Sequence, residues 1–298
     1  MKKIFLYSLM TLILFEVSLQ VLGLGVTFFT NRDNETAITQ TAGKKIFKIL
    51  VLGESTSYGM LLKNRLQDAY PYQVAKFLKD KRRDIDFQVI NLSYPGQTSY
   101  SIANTLERNL KKYKPNLVIC HFGVNDSDPV LNPFLQLKFY HLSIPTFIKK
   151  IKTFKLITLS YLYFKNRKNI SQGLEGQFIF ENRALNNGQH DFSYVEESKK
   201  TYHQILSTIK SQNIPYLMLS YFHTYENIFT LLASVQKENN AHYVNLKLKD
   251  REKLQDLYAE DLWHPSIKGH THIARKIIQL LKENTPYFFK ALQDKKLE

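Results

Sequence analysis

The chain has 298 residues, of which 44% are hydrophobic and 22% are charged, and these proportions exclude bulk disorder and a multi-span membrane protein. Behind an apolar N-terminal stretch, the length suits one α/β domain with a sizeable core. The formal charge of +15 favours an anionic partner such as phospholipid headgroups or an acidic envelope polymer, whereas the lack of zinc-finger and ribonucleoprotein motifs argues against nucleic acid.

The N-terminus is strongly apolar. Two lysines precede the run Ile4–Phe15, which is broken only by Ser8 and Thr11. Because no small-x-small cleavage site follows, the pattern predicts an uncleaved signal anchor or transmembrane helix over residues 1–29. The leading lysines favour a cytoplasmic start, so the folded domain is expected outside the membrane, in a periplasm or at the cell surface.

Glu16 and Gln20 interrupt this apolar segment. A carboxylate near the middle of a bilayer costs a few kcal/mol on insertion scales, which the many Leu, Ile, Phe and Val residues around it could offset. A membrane anchor is therefore predicted, with a buried amphipathic helix as the alternative.

Residues 30–45 are polar and predict a tether to a folded domain over residues 46–298. In that domain, apolar β-prone runs alternate with helical patterns, which is typical of a doubly wound three-layer α/β fold with a parallel sheet. The strand candidates are Phe47–Gly53, Phe87–Leu92, Leu117–Phe122, Pro215–Tyr221 and His242–Leu246. The helix candidates are Tyr72–Lys79, Ser101–Tyr113, Tyr194–Ser211, Glu226–Glu238 and Ser266–Glu283. The single cysteine, Cys120, lies in the third strand, so neither an intramolecular disulfide nor a thiolate metal site is expected.

An insertion at about 130–190 separates the third strand from the next helix and is longer than a compact α/β fold needs. Between Val130 and Lys168 it carries seven lysines and one arginine but no Asp or Glu, among many apolar residues. This basic amphipathic composition fits a lid or a surface that rests on anionic lipid. It fits equally well a set of helices that pack on the domain with their lysines in water.

A serine follows the first predicted strand in the sequence Gly53-Glu54-Ser55. Ligand sites in open α/β sheets form at the carboxyl edge of the strands, which is where Ser55 is expected. The preceding glycine allows a tight turn, and the N–H of Ser55 could face a developing oxyanion. By itself this pattern also fits a simple turn or a helix cap.

The next two strands bring further donors to the same edge. The second is followed by Gly96 and the third by Asn125. Their backbone N–H and side-chain amide could join the N–H of Ser55 in an oxyanion hole, although ordinary turn chemistry explains each residue equally well.

Near the C-terminus, Asp261 precedes His264 by three residues, just before the last predicted helix. This spacing lets a carboxylate hold the imidazole while the other ring nitrogen removes a proton from a serine hydroxyl. A histidine that merely caps the helix is the alternative. Other histidines, such as His121 and His270, lack a comparable carboxylate and are interpreted as structural or surface groups.

Together these residues resemble the SGNH hydrolases, also called GDSL esterases, over about Ile46–Glu283. The matching positions are Ser55 in the first sequence block, Gly96 in the second, Asn125 in the third, and Asp261 and His264 in the last. The family's first block usually reads Gly-Asp-Ser, and here Glu54 stands in place of that aspartate. The resemblance implies a flavodoxin-like α/β/α sandwich with a five-stranded parallel sheet, and ester hydrolysis by a Ser-His-Asp triad and an oxyanion hole without metal or cofactor.

The leading functional hypothesis is a serine esterase that removes O-acyl groups, with acetyl favoured, from envelope carbohydrate or lipid. An O-acetyltransferase that acts on glycans is an alternative, because a sugar hydroxyl can resolve the same acyl-enzyme. A non-catalytic, membrane-tethered glycan-binding protein is a third hypothesis from a different class.

Overall fold

The computed structural model describes residues 2–34, 44–126, 151–154, 156–157, 192–222, 226–248, 256–261 and 263–289. The chain divides into two compact units. The first contains the N-terminal helix and the described residues between 151 and 157, and the second contains the rest. Most of the predicted insertion and of the predicted tether therefore lies outside the described residues.

The N-terminal helix α1 spans Lys2–Asn34 and continues past residue 29, the predicted end of the anchor. Within it, Leu6–Gly23 is long and apolar enough to cross a membrane, and no other helix in the described part of the chain meets that test. Large apolar side chains along this stretch are exposed. An exposed apolar surface of this length needs lipid or another apolar covering.

Glu16 of α1 finds its hydrogen-bond donors inside the same compact unit. Its carboxylate accepts the backbone N–H groups of Lys152, at 3.0 Å, and Thr153, at 2.8 Å, as well as the Thr153 hydroxyl at 2.8 Å. The Lys152 ammonium donates to the carbonyl of Leu19 at 3.1 Å. A polar group within an apolar helix is tolerated when the protein itself supplies its partners, and Glu16 meets that condition.

Five parallel strands form the sheet of the second unit in the order β2-β1-β3-β4-β5. The strands are β1 (Lys45–Gly53), β2 (Ile85–Asn91), β3 (Leu117–His121), β4 (Tyr216–Leu219) and β5 (His242–Val244). The central strands are buried on both faces, which explains their continuous apolar runs.

Helices cover both faces of this sheet. They are α2 (Ser55–Tyr58), α3 (Arg65–Asp68), α4 (Tyr70–Lys81), α5 (Ser99–Tyr113), α6 (Phe192–Ser211), α7 (Glu226–Asn239), α8 (Ile267–Glu283) and α9 (Thr285–Phe288). Apolar side chains of α4 and α8 share one core with the sheet, and those of α5, α6 and α7 share the other. The predicted three-layer α/β/α sandwich with a five-stranded parallel sheet is thus confirmed, and an N-terminal apolar helix precedes it.

Capping residues mark where two helices that follow site loops begin, namely α5 and α8. The Thr98 hydroxyl accepts the N–H of Ser101 at the start of α5, and the Ser266 hydroxyl accepts the N–H of Gly269 at the start of α8. Each cap satisfies a backbone donor that the first helical turn leaves free. The cap of α8, Ser266, lies two residues after His264, so it also sets where the loop that carries His264 ends.

Candidate active site

The site lies at the carboxyl edge of the sheet, where β1 ends at Gly53 and Ser55 begins α2. Gly53 pairs with His121 of β3. A Cβ atom at Gly53 would stand 2.3 Å from Ser57 Oγ and 2.9 Å from the His121 carbonyl oxygen, so only glycine fits between them. This close approach sets the turn that carries Ser55.

Ser55, Asp261 and His264 form one chain of hydrogen bonds. His264 Nε2 lies 2.9 Å from Ser55 Oγ, and His264 Nδ1 lies 2.5 Å from Asp261 Oδ2. Ser55 is 6% exposed and His264 is 9% exposed. With Nδ1 donating to the carboxylate, Nε2 is left unprotonated and can accept the Ser55 hydroxyl proton.

Asp261 also holds the backbone of the turn that carries His264. Its Oδ1 atom accepts the N–H of Trp263 at 3.1 Å and the N–H of His264 at 3.0 Å. Burial raises the pKa of Asp261, but the hydrogen bonds from His264 and Trp263 outweigh it, so the pKa lies below its usual value. Asp261 is therefore ionised at neutral pH.

Backbone hydrogen bonds just before α8 hold the loop that carries His264. The N–H of Ser266 donates to the Leu257 carbonyl at 2.8 Å, and the N–H of Ala259 donates to the His264 carbonyl at 2.7 Å. Gly269 faces the same carbonyl, because a Cβ atom there would lie 2.1 Å from Leu257 O. The position of His264 therefore depends on the absence of a side chain at Gly269, in the first turn of α8.

We predict that Gly269→Ala lowers any turnover that depends on His264 by about 10²-fold, because a displacement of roughly 1 Å at a reacting group has that effect. Inside a helix, alanine is more favourable than glycine. A loss of thermal stability would therefore have to come from the clash with Leu257. Steady-state kinetics and a thermal melt measure both effects. Arg275→Ala, an exposed change on the same helix, is the control and should leave both unchanged. Wild-type turnover in Gly269→Ala would contradict this account of the loop.

Gly96 and Asn125 lie on the loops after β2 and β3. Gly96 has a φ of 74°, a left-handed conformation that glycine adopts readily. Asn125 Nδ2 donates to the Gln97 carbonyl at 3.1 Å, which joins the two loops. An amide nitrogen carries two protons, so Asn125 has a second N–H to offer. The oxyanion role predicted for both residues remains a prediction.

A layer of buried polar and aromatic groups supports Ser55 from the sheet side. Ser57 Oγ lies 2.7 Å from the Tyr70 hydroxyl and 3.3 Å from His121 Nδ1, and His270 Nδ1 accepts the N–H of Tyr70 at 3.2 Å. Burial lowers the pKa of both His121 and His270 to about 3, so both rings are neutral at physiological pH. Their contacts agree with a structural role.

Glu54 is a site residue whose contact the sequence does not reveal. Its side chain is fully buried, and Oε2 lies 2.8 Å from Ser55 Oγ. Burial raises the pKa of Glu54, while hydrogen bonds from Thr56 and Ser55 and the charge of His264 act in the opposite direction. The one signal in the sequence is that glutamate replaces the aspartate usual at this position.

A small pocket opens beside these residues in the described part of the chain. Its walls include the chain neighbours of the site residues, namely Thr56 next to Ser55, Val124 before Asn125, and Trp263 and Pro265 on either side of His264. The cavity volume is about 10 Å³, which is room for roughly one water-sized group. Among the described residues, Ser55, Asn125 and His264 themselves do not line this pocket.

Comparison with known families agrees with this geometry. A model of the GDSL-like lipase/acylhydrolase family matches residues 39–277, which is most of the chain. The chain belongs to this family. As a member it is an ester hydrolase, and the match takes in both Ser55 and the Asp261–His264 turn. No curated protein sequence matches the chain.

Solved structures of esterases share the fold of this hydrolase. The acetylxylan esterase Axe2 from Geobacillus stearothermophilus aligns with a TM-score of 0.50 and 16% identity, covering 81% of this chain and 96% of its own. A two-domain esterase, CEX, that is active on acetylated mannans aligns with a TM-score of 0.51 and 17% identity, covering 80% of this chain and 49% of its own. At these identities the similarity is one of fold.

Proposed function

We propose that this hydrolase is a serine esterase that removes acetyl groups from carbohydrate, with Ser55 as nucleophile, His264 as general base and Asp261 as the group that orients the base. The observation that carries the proposal is the continuous hydrogen-bond chain from Ser55 Oγ through the imidazole to the Asp261 carboxylate. A serine hydroxyl needs such a base to attack a carbonyl carbon at neutral pH.

In the first half of the reaction, His264 Nε2 takes the Ser55 proton as Oγ attacks the acyl carbonyl carbon. The imidazolium that forms is stabilised by the ionised Asp261 at Nδ1. Backbone N–H groups of Ser55 and Gly96 and the amide of Asn125 would hold the negative oxygen. His264 then protonates the departing alcohol, which leaves an acyl group on Ser55.

In the second half, a water molecule gives its proton to His264 and attacks the acyl-enzyme, releasing acetic acid and restoring Ser55. A sugar hydroxyl in place of water would make the same residues an acetyltransferase. The family to which the chain belongs is one of lipases and acylhydrolases, so hydrolysis is the function we propose.

The choice of acetyl over longer acyl groups is supported by the acetylated polysaccharides named for two structural neighbours. The carbohydrate part of the proposal is supported by the acetylated mannans and acetylxylan named for the two structural neighbours. A lipid ester is the rival substrate.

The decisive experiment treats the full chain, purified in detergent, with a fluorophosphonate probe and with nitrophenyl esters of increasing acyl length. We expect one equivalent of label on Ser55, located by peptide mass spectrometry, and a kcat/KM that falls steeply from acetate to octanoate. Labelling without turnover of the esters or of acetylated oligosaccharides would reject the esterase proposal. A preference for octanoate would instead support a lipid ester.

We also propose that α1 anchors the protein in a membrane, because Leu6–Gly23 is long enough to span and its large apolar side chains are exposed. We expect the full chain to stay in the membrane fraction after a high-salt wash and to dissolve only in detergent, since apolar burial does not depend on screened charge. Intact mass spectrometry of the protein from membranes tests whether the segment is cleaved. Recovery in the salt wash would leave only a peripheral attachment.

A further inference from the structure

Ser55 Oγ has two acceptors within hydrogen-bond distance. His264 Nε2 lies 2.9 Å away, and Glu54 Oε2 lies 2.8 Å away on another side. The hydroxyl carries a single proton, so it can donate to only one of them. If that proton goes to His264, as nucleophilic attack requires, the contact between Glu54 and Ser55 needs a proton of its own.

The second contact of Glu54 lowers its pKa by itself, so it sets a condition that a protonated Glu54 has to meet. The same Oε2 atom accepts the backbone N–H of Thr56 at 2.9 Å. An oxygen that accepts from Thr56 and donates to Ser55 at the same time is the hydroxyl oxygen of a protonated carboxylic acid. A carboxylate in this place could only accept, and it would draw the Ser55 proton away from His264.

Burial also favours the neutral acid. Glu54 is 0% exposed, and its other oxygen, Oε1, has no hydrogen-bond partner among the described residues. A buried charged oxygen without a partner is far less favourable than a buried carbonyl oxygen without one. The titratable groups that face Glu54 are His264, Tyr70 and Tyr221. A positive charge on His264 lowers the pKa of Glu54, whereas burial raises the pKa of both tyrosines, which therefore stay neutral, and burial is the largest influence on Glu54.

We propose that Glu54 is a positioning residue for the nucleophile, and that it acts as a neutral carboxylic acid whose proton is donated to Ser55 Oγ. This inference rests on the proposed role of Ser55. The bond holds Oγ towards His264 and leaves the serine's own proton for the base. When Oγ departs from the acyl group during deacylation, the same donor stabilises its growing negative charge.

The protonation state can be read directly by infrared difference spectroscopy on the full chain in detergent at pH 7. The spectrum of the wild type minus that of Glu54→Gln should show the C=O stretching band of a protonated carboxylic acid. The control, Glu107→Gln, removes an exposed glutamate of α5 and should show carboxylate bands alone. In a Ser55→Ala background the acid band should persist but shift, because the acceptor of its proton is gone.

Kinetics provide the second readout. In Glu54→Gln, the N–H of Thr56 still needs an acceptor, so the amide oxygen takes the place of Oε2 and the NH2 group takes that of Oε1. The amide oxygen can only accept, so it competes with His264 for the Ser55 proton. We expect kcat to fall about tenfold or more, the usual effect of one misdirected hydrogen bond, with KM nearly unchanged. If Glu54 had only a structural role, Glu54→Gln would lower the stability of the protein without lowering kcat selectively over KM.

Two results would overturn the inference. One is a wild-type minus Glu54→Gln spectrum with carboxylate bands alone, and the other is an acid band that Ser55→Ala leaves unshifted. Neither measurement needs turnover. A wild type that hydrolyses no ester and takes no fluorophosphonate would therefore reject the proposed function while leaving the Glu54–Ser55 hydrogen bond intact.

Discussion

Replacing Ser55 or His264 with alanine should reduce ester hydrolysis by about 10⁴-fold or more, because loss of the nucleophile or of its base leaves only binding and oxyanion stabilisation. The expectation follows from the 2.9 Å contact between Ser55 Oγ and His264 Nε2. Initial rates with nitrophenyl acetate measure the effect, and Ser55→Ala should also lose all fluorophosphonate labelling.

The matched control for this loss is His203→Ala. His203 lies on α6, and its Nε2 atom also contacts a carboxylate, Glu238 Oε2, at 2.9 Å, but it lies outside the proposed triad. It should retain wild-type turnover. Far-UV circular dichroism and a thermal melt of each variant would separate lost chemistry from lost fold. Folded Ser55→Ala protein with activity near that of the wild type would reject the triad.

Replacing Asn125 with alanine should lower kcat by about 10² to 10³-fold with a smaller change in KM, as is typical when one oxyanion donor is removed. The reason is that the amide is needed mainly once the carbonyl oxygen carries charge. Asn125→Asp, which has the same shape without the donor, should be at least as impaired. The measurement is a full kinetic analysis of both variants with an acetyl ester.

Asn125 also ties two loops together through the Gln97 carbonyl, so a structural effect has to be separated from a catalytic one. Asn104→Ala, an exposed change on α5, provides the baseline. If Asn125→Ala raised KM alone, or lost activity only in step with its melting temperature, the oxyanion role would be wrong.

The arrangement of the fold was largely predictable from the sequence. Strands buried on both faces appear as continuous apolar runs, so each of the five strands, including β1 and β3, was found close to its observed bounds. The short helices α2, α3 and α9 were not predicted, because a single helical turn has no hydrophobic periodicity to detect. The order of the strands follows from their pairing, which only the structure displays.

At the site, the sequence by itself determined which chemical groups follow which strands. Asp261 and His264 are three residues apart, so one turn is enough to join them, and the motif around Ser55 resembles a known first block. The family resemblance implied a triad of Ser55, Asp261 and His264, but no local pattern encodes a contact across 209 residues, so the meeting of Ser55 with His264 depends on the tertiary structure. The tertiary structure also decided the position of Glu54, since whether a carboxyl group beside a serine faces solvent or contacts the serine hydroxyl depends on the burial that packing imposes.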